Sequence, residues 1–418
     1  MKIRSITYFC NPGWPLDEEK LRAAGLFLAE AKAAYEAAGY EVQTTRLATV
    51  PFPGMLGVNH IAETPRLAAE LSRLLPQIGV AYAALGPALP GIPDSYAAIP
   101  EAIAASQNVF FSGVMADPRR GISMAAVNAC AEVIVRCAPI TPDGFANLNF
   151  AALANVRPGA PFFPAAYWEG EEPAFAIATE AADLAVSAFG GPGTVDGGPL
   201  DGVRGRPSTV DEGRKALIAS LEKHGNQLAR IADSLNQRFV GIDFSLAPFP
   251  DDRLSLGAAV EAMGVPKVGL HGSLAAAAIL TEAVDRADFP HTGFSGFMQP
   301  VLEDSVLAKR AAEGTLTIKD ALLYSAVCGT GLDTVPLPGD VTPGQVAALL
   351  LDLSALALRL DKPLTARLMP IPGKKAGDPT SFDFGFFANS RVMRLDAEPL
   401  QPPLSGSERF ALTPRRGK

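Results

Sequence analysis

The chain has 418 residues, 48% hydrophobic and 19% charged, enough apolar material for a large core and too little charge for global disorder. A net charge of −8 with a pI near 5.2 excludes nucleic acid as a main partner, and no aromatic–basic interleaving supplies a stacking platform. The N-terminal MKIRSITYFCNPGWP is too short and polar for a signal-peptide core, and Val346–Leu360 is a short apolar run carrying Asp352, so a buried helix rather than a membrane span is expected. Four cysteines in a chain of this length do not make a disulfide scaffold, which points to a reducing cytoplasm.

In chain order, alternation predicts a strand over Lys2–Phe9, broken by Asn11-Pro-Gly, then a helix from Leu16 to Ala38 with acids in its first turn. Tyr40–Ala48 reads as a strand, Pro65–Leu75 as a helix, Val80–Leu85 as a strand and Tyr96–Ser106 as a short helix. Asn108–Met115 is a strand and Met124–Cys137 a helix with Cys130 and Cys137 on one face, where two small core residues are the plain reading. Leu148–Asn155 reads as a strand, the proline-rich Arg157–Pro164 as a loop, and Pro173–Phe189 as a helix. Gly190–Pro207, dense in Gly and Pro, is expected to be a surface excursion inside one large domain over 1–393. Then come a helix over Thr209–Asn236, a strand over Phe239–Ala247, a helix over Leu254–Met263, a strand over Lys267–Leu270 and a helix over Ser273–Ala287. Gly293–Pro300 is a strand or a loop, Glu303–Glu313 and Ile318–Val327 are helices, Pro343–Leu360 is a long apolar helix, and Thr365–Pro370 and Phe382–Val392 are strands. Residues 394–418 read as a surface tail. About ten strand candidates suit a closed barrel better than one open sheet.

Two stretches concentrate chemistry: Tyr324–Asp340 (YSAVCGTGLDTVPLPGD) and Arg367–Asp378 (RLMPIPGKKAGD), dense in glycine, proline and charge and joined by the long helix. With FCNPGWP, ANVRPGAPFFPAAY and VGIDFSLAPFP they make the chain resemble, as far as about Met393, domain-of-unknown-function family 711, often labelled "PFL family" after pyruvate formate-lyase. The resemblance implies a ten-stranded α/β barrel like that of glycyl-radical enzymes, with a loop entering it, and implies no particular reaction. Arg391-Val392-Met393-Arg394 has no glycine where a radical glycine would stand, so no glycyl radical is expected.

Cys328, beside Gly329-Thr330-Gly331, is a candidate nucleophile against the plainer reading of a small buried residue. His271, directly after the Lys267–Leu270 run, is the candidate acid or base. Asp333 and Asp340 flank the VPLPG turn, where they could bind a divalent cation, act as a base or orient a ligand, or cap the following elements as turn chemistry. Asp243 sits inside an apolar strand, where an unpartnered carboxylate is costly, so it is paired, exposed at the strand end, or a ligand for a divalent metal. Arg367, Lys374 and Lys375, with the backbone of Gly329 and Gly331, suit a small anion, although GKKAGD lacks P-loop spacing. Glu303-Asp304 looks like ordinary first-turn acid. The sequence therefore supports an enzyme on a small anionic metabolite or a non-catalytic binding protein, and its high apolar fraction suggests a homodimer or larger assembly.

Overall fold

A computed structural model describes residues 1–190 and 207–415, so the Gly/Pro-rich excursion lies almost wholly outside the described residues. Eleven strands form one mixed sheet: β1 Lys2–Cys10, β2 Thr45–Pro51, β3 Tyr82–Gly86, β4 Val109–Asp117, β5 Gly121–Ser123, β6 Phe150–Ala154, β7 Ala174–Glu180, β8 Arg238–Ala247, β9 Gly331–Pro338, β10 Leu364–Ile371 and β11 Arg409–Phe410. The main path runs β8-β7-β1-β2-β3-β4-β6-β10-β9. β1, β2, β3, β4 and β6 are mutually parallel; β7 with β8, and β10 with β9, are parallel pairs that run antiparallel to that set. One end of the sheet therefore gathers the N-terminal ends of five strands and the C-terminal ends of four.

Between the two terminal strands runs the irregular segment 290–301. On the β8 side, Ile242 N donates to Pro290 O, Thr292 N to Ile242 O and Leu246 N to Gly296 O; on the β9 side, Gly329 N donates to Phe297 O and Val301 N to Asp333 O. Isolated bridges pair Ile242 with His291 and Pro300 with Asp333. No ladder joins β8 to β9 directly among the described residues.

Helices cover the outer face. The helix Glu18–Ala37 is capped by Asp17, which accepts from Glu19 N and Lys20 N, and buries Leu21, Ala24, Leu28, Ala31 and Tyr35 at helical spacing. The helix Pro343–Leu360 opens on a Thr342/Gln345 capping box. It is long and apolar enough to cross a membrane, but it buries Val346, Leu350, Leu353 and Ala357 and packs on Met124–Cys137, leaving Asp352 exposed. Cys130 and Cys137 are buried, the Cys130 sulfur 3.6 Å from Gly113 O on β4, as the packing reading expects.

Four expected elements differ. Pro173–Phe189 is not one helix but β7 followed by the helix Ala182–Phe189; AFAIATE is buried on both faces, so it shows no alternation, and its alanines suit a helix equally well. The loop expected around Val335 is β9, despite Pro336 and Pro338; a strand laddered on one side only can turn a missing N–H to the other. Lys267–Leu270 is a turn, not a strand. Phe382–Val392 is a pinned turn: Asn389 Oδ1 accepts from Phe382 N, its Nδ2 donates to Phe382 O, and Thr380 Oγ1 reaches Asn389 Oδ1. The tail is mostly exposed, with β11 paired to β5.

The inner face of the sheet carries two apolar clusters of its own, one around Phe9, Phe110, Phe163 and Trp168 and one around Phe162, Phe294 and Met298. The Arg157–Pro164 loop supplies much of both. It crosses the inside from 290–301, where Thr292 Oγ1 donates to Gly159 O, to β1, where Thr7 Oγ1 donates to Pro161 O. The backbone of Trp168, just beyond it, donates to Thr49 O in β2.

Candidate functional site

The site is built at breaks in strand register. On β1, Ile3 pairs with Thr179 and Ser5 with Ala178, leaving Arg4 as the extra residue of a bulge. Bulges re-aim side chains, and Arg4 joins the inner face where strict alternation would not place it. It pairs with Glu180 at 2.9 Å and Glu303 at 2.6 Å. The β9–β10 ladder breaks in the same way: Ala366 pairs with Leu332 and Leu368 with Val335, which leaves Arg367 opposite Asp333 and Thr334. Arg367 Nε meets Asp333 Oδ1 at 2.5 Å, and its Nη2 meets Glu303 Oε1 at 2.7 Å. Thr334 has φ of 42°, a strained position for a β-branched residue, and its hydroxyl accepts from Leu302 N. The result is a continuous buried chain, Glu180–Arg4–Glu303–Arg367–Asp333. Burial raises the Asp333 carboxyl above its ordinary range; Arg367 opposes that shift and Glu303 adds to it.

Arg4, Glu303 and Arg367 of this chain line a cavity of about 460 Å³ at the end of the sheet that gathers the N-terminal ends of β1, β2, β3, β4 and β6, together with Gln43, Arg46, Tyr82, Phe110, Phe163 and Phe386. The volume suits a small ligand. Arg46, on β2, differs from the other two arginines. Its guanidinium lies 5.0 Å from the Phe163 ring and 5.8 Å from Tyr82, and its Nε donates to Thr44 Oγ1, but no carboxylate pairs with it among the described residues. Burial pulls its pKa down and the nearby Arg4 charge adds to the effect. Tyr82 and Glu303 offset part of that shift; a guanidinium stays protonated near neutral pH, so this amounts to a charge without an ion pair, only partly relieved, at a cavity wall. Gln43 donates to Glu180 at 2.8 Å while its Oε1, also buried, accepts from nothing. Over the mouth, Phe384 and Phe386 of the pinned turn pack together, Phe384 meets Phe145 at 5.1 Å, and Arg4 lies 5.0 Å from the Phe386 ring.

Of the residues singled out from sequence, Arg367 lines this cavity, and Asp333 lines a small space beside it shared with Phe162, Phe163 and Met298. Cys328 and Gly329 line a separate cavity of about 440 Å³ near the N-terminal ends of β9 and β10, with Lys362, Asp285 and Ser295. The two large cavities share no lining residue. Cys328 is 1% exposed; its sulfur accepts from Gly331 N at 3.2 Å, and Lys362 Nζ donates to its carbonyl. Gly331 is required by packing: at φ of 102°, a Cβ there would lie 2.4 Å from Thr365 O. Asp340 and Lys375 are exposed and Lys374 half-buried; Gly339 N donates to Lys374 O, tying the two turns together outside the cavity lining. His271 is exposed in the turn before the helix Ser273–Arg286 and lines neither cavity.

Asp243 is fully buried and partnered. Oδ1 accepts from Ser245 N, Ser245 Oγ and Ser295 N, and Oδ2 from Phe294 N. Those donors occupy the carboxylate, and no group of three or more His, Cys, Asp or Glu among the described residues is arranged to hold a metal. Asp243 fastens 290–301 to β8, where a Cβ on Gly293 would lie 2.1 Å from Oδ2.

Sequence reasoning missed Arg4, Arg46, Glu180 and the aromatic turn, and took Glu303 for helix-start acid. Arg46 carried one usable signal, a lone cation inside the TRLATVP strand.

Sequence comparison relates most of the chain to known proteins. The chain is 34% identical over 375 residues to a UPF0210 protein of Pyrobaculum arsenaticum, covering 86% of this chain and 79% of that one. It is 34% identical over 307 residues to a UPF0210 protein of Acetivibrio thermocellus (72% and 66%), and 28% identical over 370 residues to one of Methanococcoides burtonii (85% and 80%). Residues 1–389 match the family model described as "Uncharacterised ACR (DUF711)", and the chain belongs to that family.

Proposed function

We propose that the chain binds a small organic anion in the cavity bounded by Arg4, Arg46 and Arg367. The observation that carries this reading is Arg46, a cation on the wall of a 460 Å³ cavity whose two neighbouring arginines already have carboxylate partners while it has none among the described residues. An arriving carboxylate or phosphate would relieve that charge and accept a bidentate pair of hydrogen bonds. The wall is best read as a ring of ten, nine strands plus 290–301; hydrogen bonds from that segment to both β8 and β9 support the closure.

Within this reading Asp333 is the group suited to moving a proton, because its raised carboxyl sits beside the cavity and is positioned by Arg367. Cys328 belongs to the other cavity, so thiol chemistry is not part of this site. An enzyme on a small anionic metabolite is the first reading and a binding protein without turnover the second. The second is favoured by a cavity lining that offers no Cys, Ser, His or Lys.

The test is a thermal-shift screen of small anions and neutral analogues against wild type and Arg46→Met. Anions should raise the wild-type Tm and leave Arg46→Met unmoved. A neutral analogue that stabilises both proteins equally would sink the reading. Prolonged incubation with a hit then separates turnover from simple binding.

A further inference from the structure

We infer that the ligand is a monoanion, a single carboxylate on an aromatic or similarly flat apolar body, carrying a hydrogen-bond donor that meets Gln43 Oε1. This rests on the anion-site reading and narrows it.

Charge balance favours one negative charge over two. Arg4, Arg46 and Arg367 face Glu180, Glu303 and Asp333. With all six ionised the cluster is neutral, and Arg46 is its one cation without an ion pair among the described residues. A single carboxylate therefore pairs with Arg46, whereas the second charge of a phosphate dianion would face Glu180 and Glu303 with no cation left to pair it.

The body of the ligand follows from the walls. Tyr82, Phe110, Phe145, Phe163, Phe384 and Phe386 surround the arginines, and such rings suit a flat apolar group better than a polyhydroxylated one. The donor requirement follows from Gln43. Its amide nitrogen is committed to Glu180, which fixes the amide orientation and leaves Oε1 as a buried acceptor with no partner. An acceptor left in that state is costly, and a ligand N–H or O–H that draws the Gln43 amide toward the cavity relieves it, adding both affinity and selectivity.

The experiment measures Kd by calorimetry for benzoate, its hydroxy and amino isomers, and phenyl phosphate, at pH 7.5, on wild type, Arg46→Met and Gln43→Met. Benzoate should bind wild type at least tenfold tighter than phenyl phosphate. At least one donor-bearing isomer should exceed benzoate by about tenfold, and Gln43→Met should erase that ratio. Phenyl phosphate binding as tightly as benzoate, with both lost in Arg46→Met, would overturn the monoanion inference and leave the anion site standing. Donor-bearing isomers no better than benzoate would overturn the role of Gln43. No Arg46-dependent binding by any probe would overturn both readings. Should Gln43→Met fail to fold, the wild-type ratios still decide.

Discussion

Glu303 and Asp304 are adjacent in sequence and both buried, yet they serve different parts of the molecule. Glu303 accepts from Arg4 and Arg367, while Asp304 accepts from Leu256 N, Gly257 N, Val306 N and Leu307 N and so caps two helices at once. Glu303→Gln should leave Arg4 with Glu180 and Arg367 with Asp333, at a cost of about 3 kcal/mol for weakening a buried ion-pair network. Asp304→Ala should cost a similar amount through two lost caps, about 1–2 kcal/mol each. Urea unfolding separates the two when repeated with ligand: only Glu303→Gln, which leaves the cavity wall one charge more positive, should also change anion affinity, in the direction of tighter binding.

Arg46→Met should behave in the opposite sense. It removes a charge with no ion-pair partner among the described residues, so the ligand-free variant should be as stable as wild type or more so, by about 1 kcal/mol. A drop of several degrees in Tm without ligand would mean that Arg46 holds the wall together.

The aromatic turn rests on Asn389. Asn389→Ala removes its bonds to Phe382 and Thr380 and should free Phe384 and Phe386 from the cavity mouth. Faster hydrogen exchange confined to 380–390, about tenfold weaker ligand binding and a nearly unchanged Tm are expected. Exchange rising equally across the sheet would contradict a local role.

Asp243 makes the fold sensitive to pH. Burial raises its carboxyl from 3.8 to about 6 even against four donors. Between those values the folded protein holds a proton that the unfolded chain has lost, so stability falls as pH rises through this window, by about 3 kcal/mol in all. Denaturation at pH 4.5 and 6.5 should show a steeper loss in wild type than in Asp243→Asn.

All four cysteines are free and buried, and burial pushes the thiols of Cys10 and Cys137 up to about 12. Iodoacetamide should label none of them at an appreciable rate in native protein and all four after unfolding. Rapid native labelling of Cys328 would restore it as a reactive group.

Much of the fold was legible because long amphipathic helices and alternating strands keep their periods; Met124–Cys137 and Pro343–Leu360 fall at their expected bounds. The site was half legible. Arg367 and Asp333 lie in stretches whose glycines and prolines draw attention, whereas Arg4 reads as one polar position in an alternating strand until its bulge turns it inward. Glu303 was hidden by position, since an acid beside a helix start needs no other explanation. Long-range pairing decides both cases, and no local pattern carries it.

The 290–301 segment has a consequence for how the protein fails. It is stapled between β8 and β9 by a handful of bonds, many of them from Asp243 and Ser295, rather than woven in by a ladder. On heating, that join should part first and bare two sheet edges. β9 carries Pro336 and Pro338, which spoil edge-to-edge growth, but β8 offers RFVGIDFSLA without a single proline. Thermal precipitates should therefore nucleate on β8, and a lysine placed on its outer edge would be the most economical way to keep the heated protein in solution.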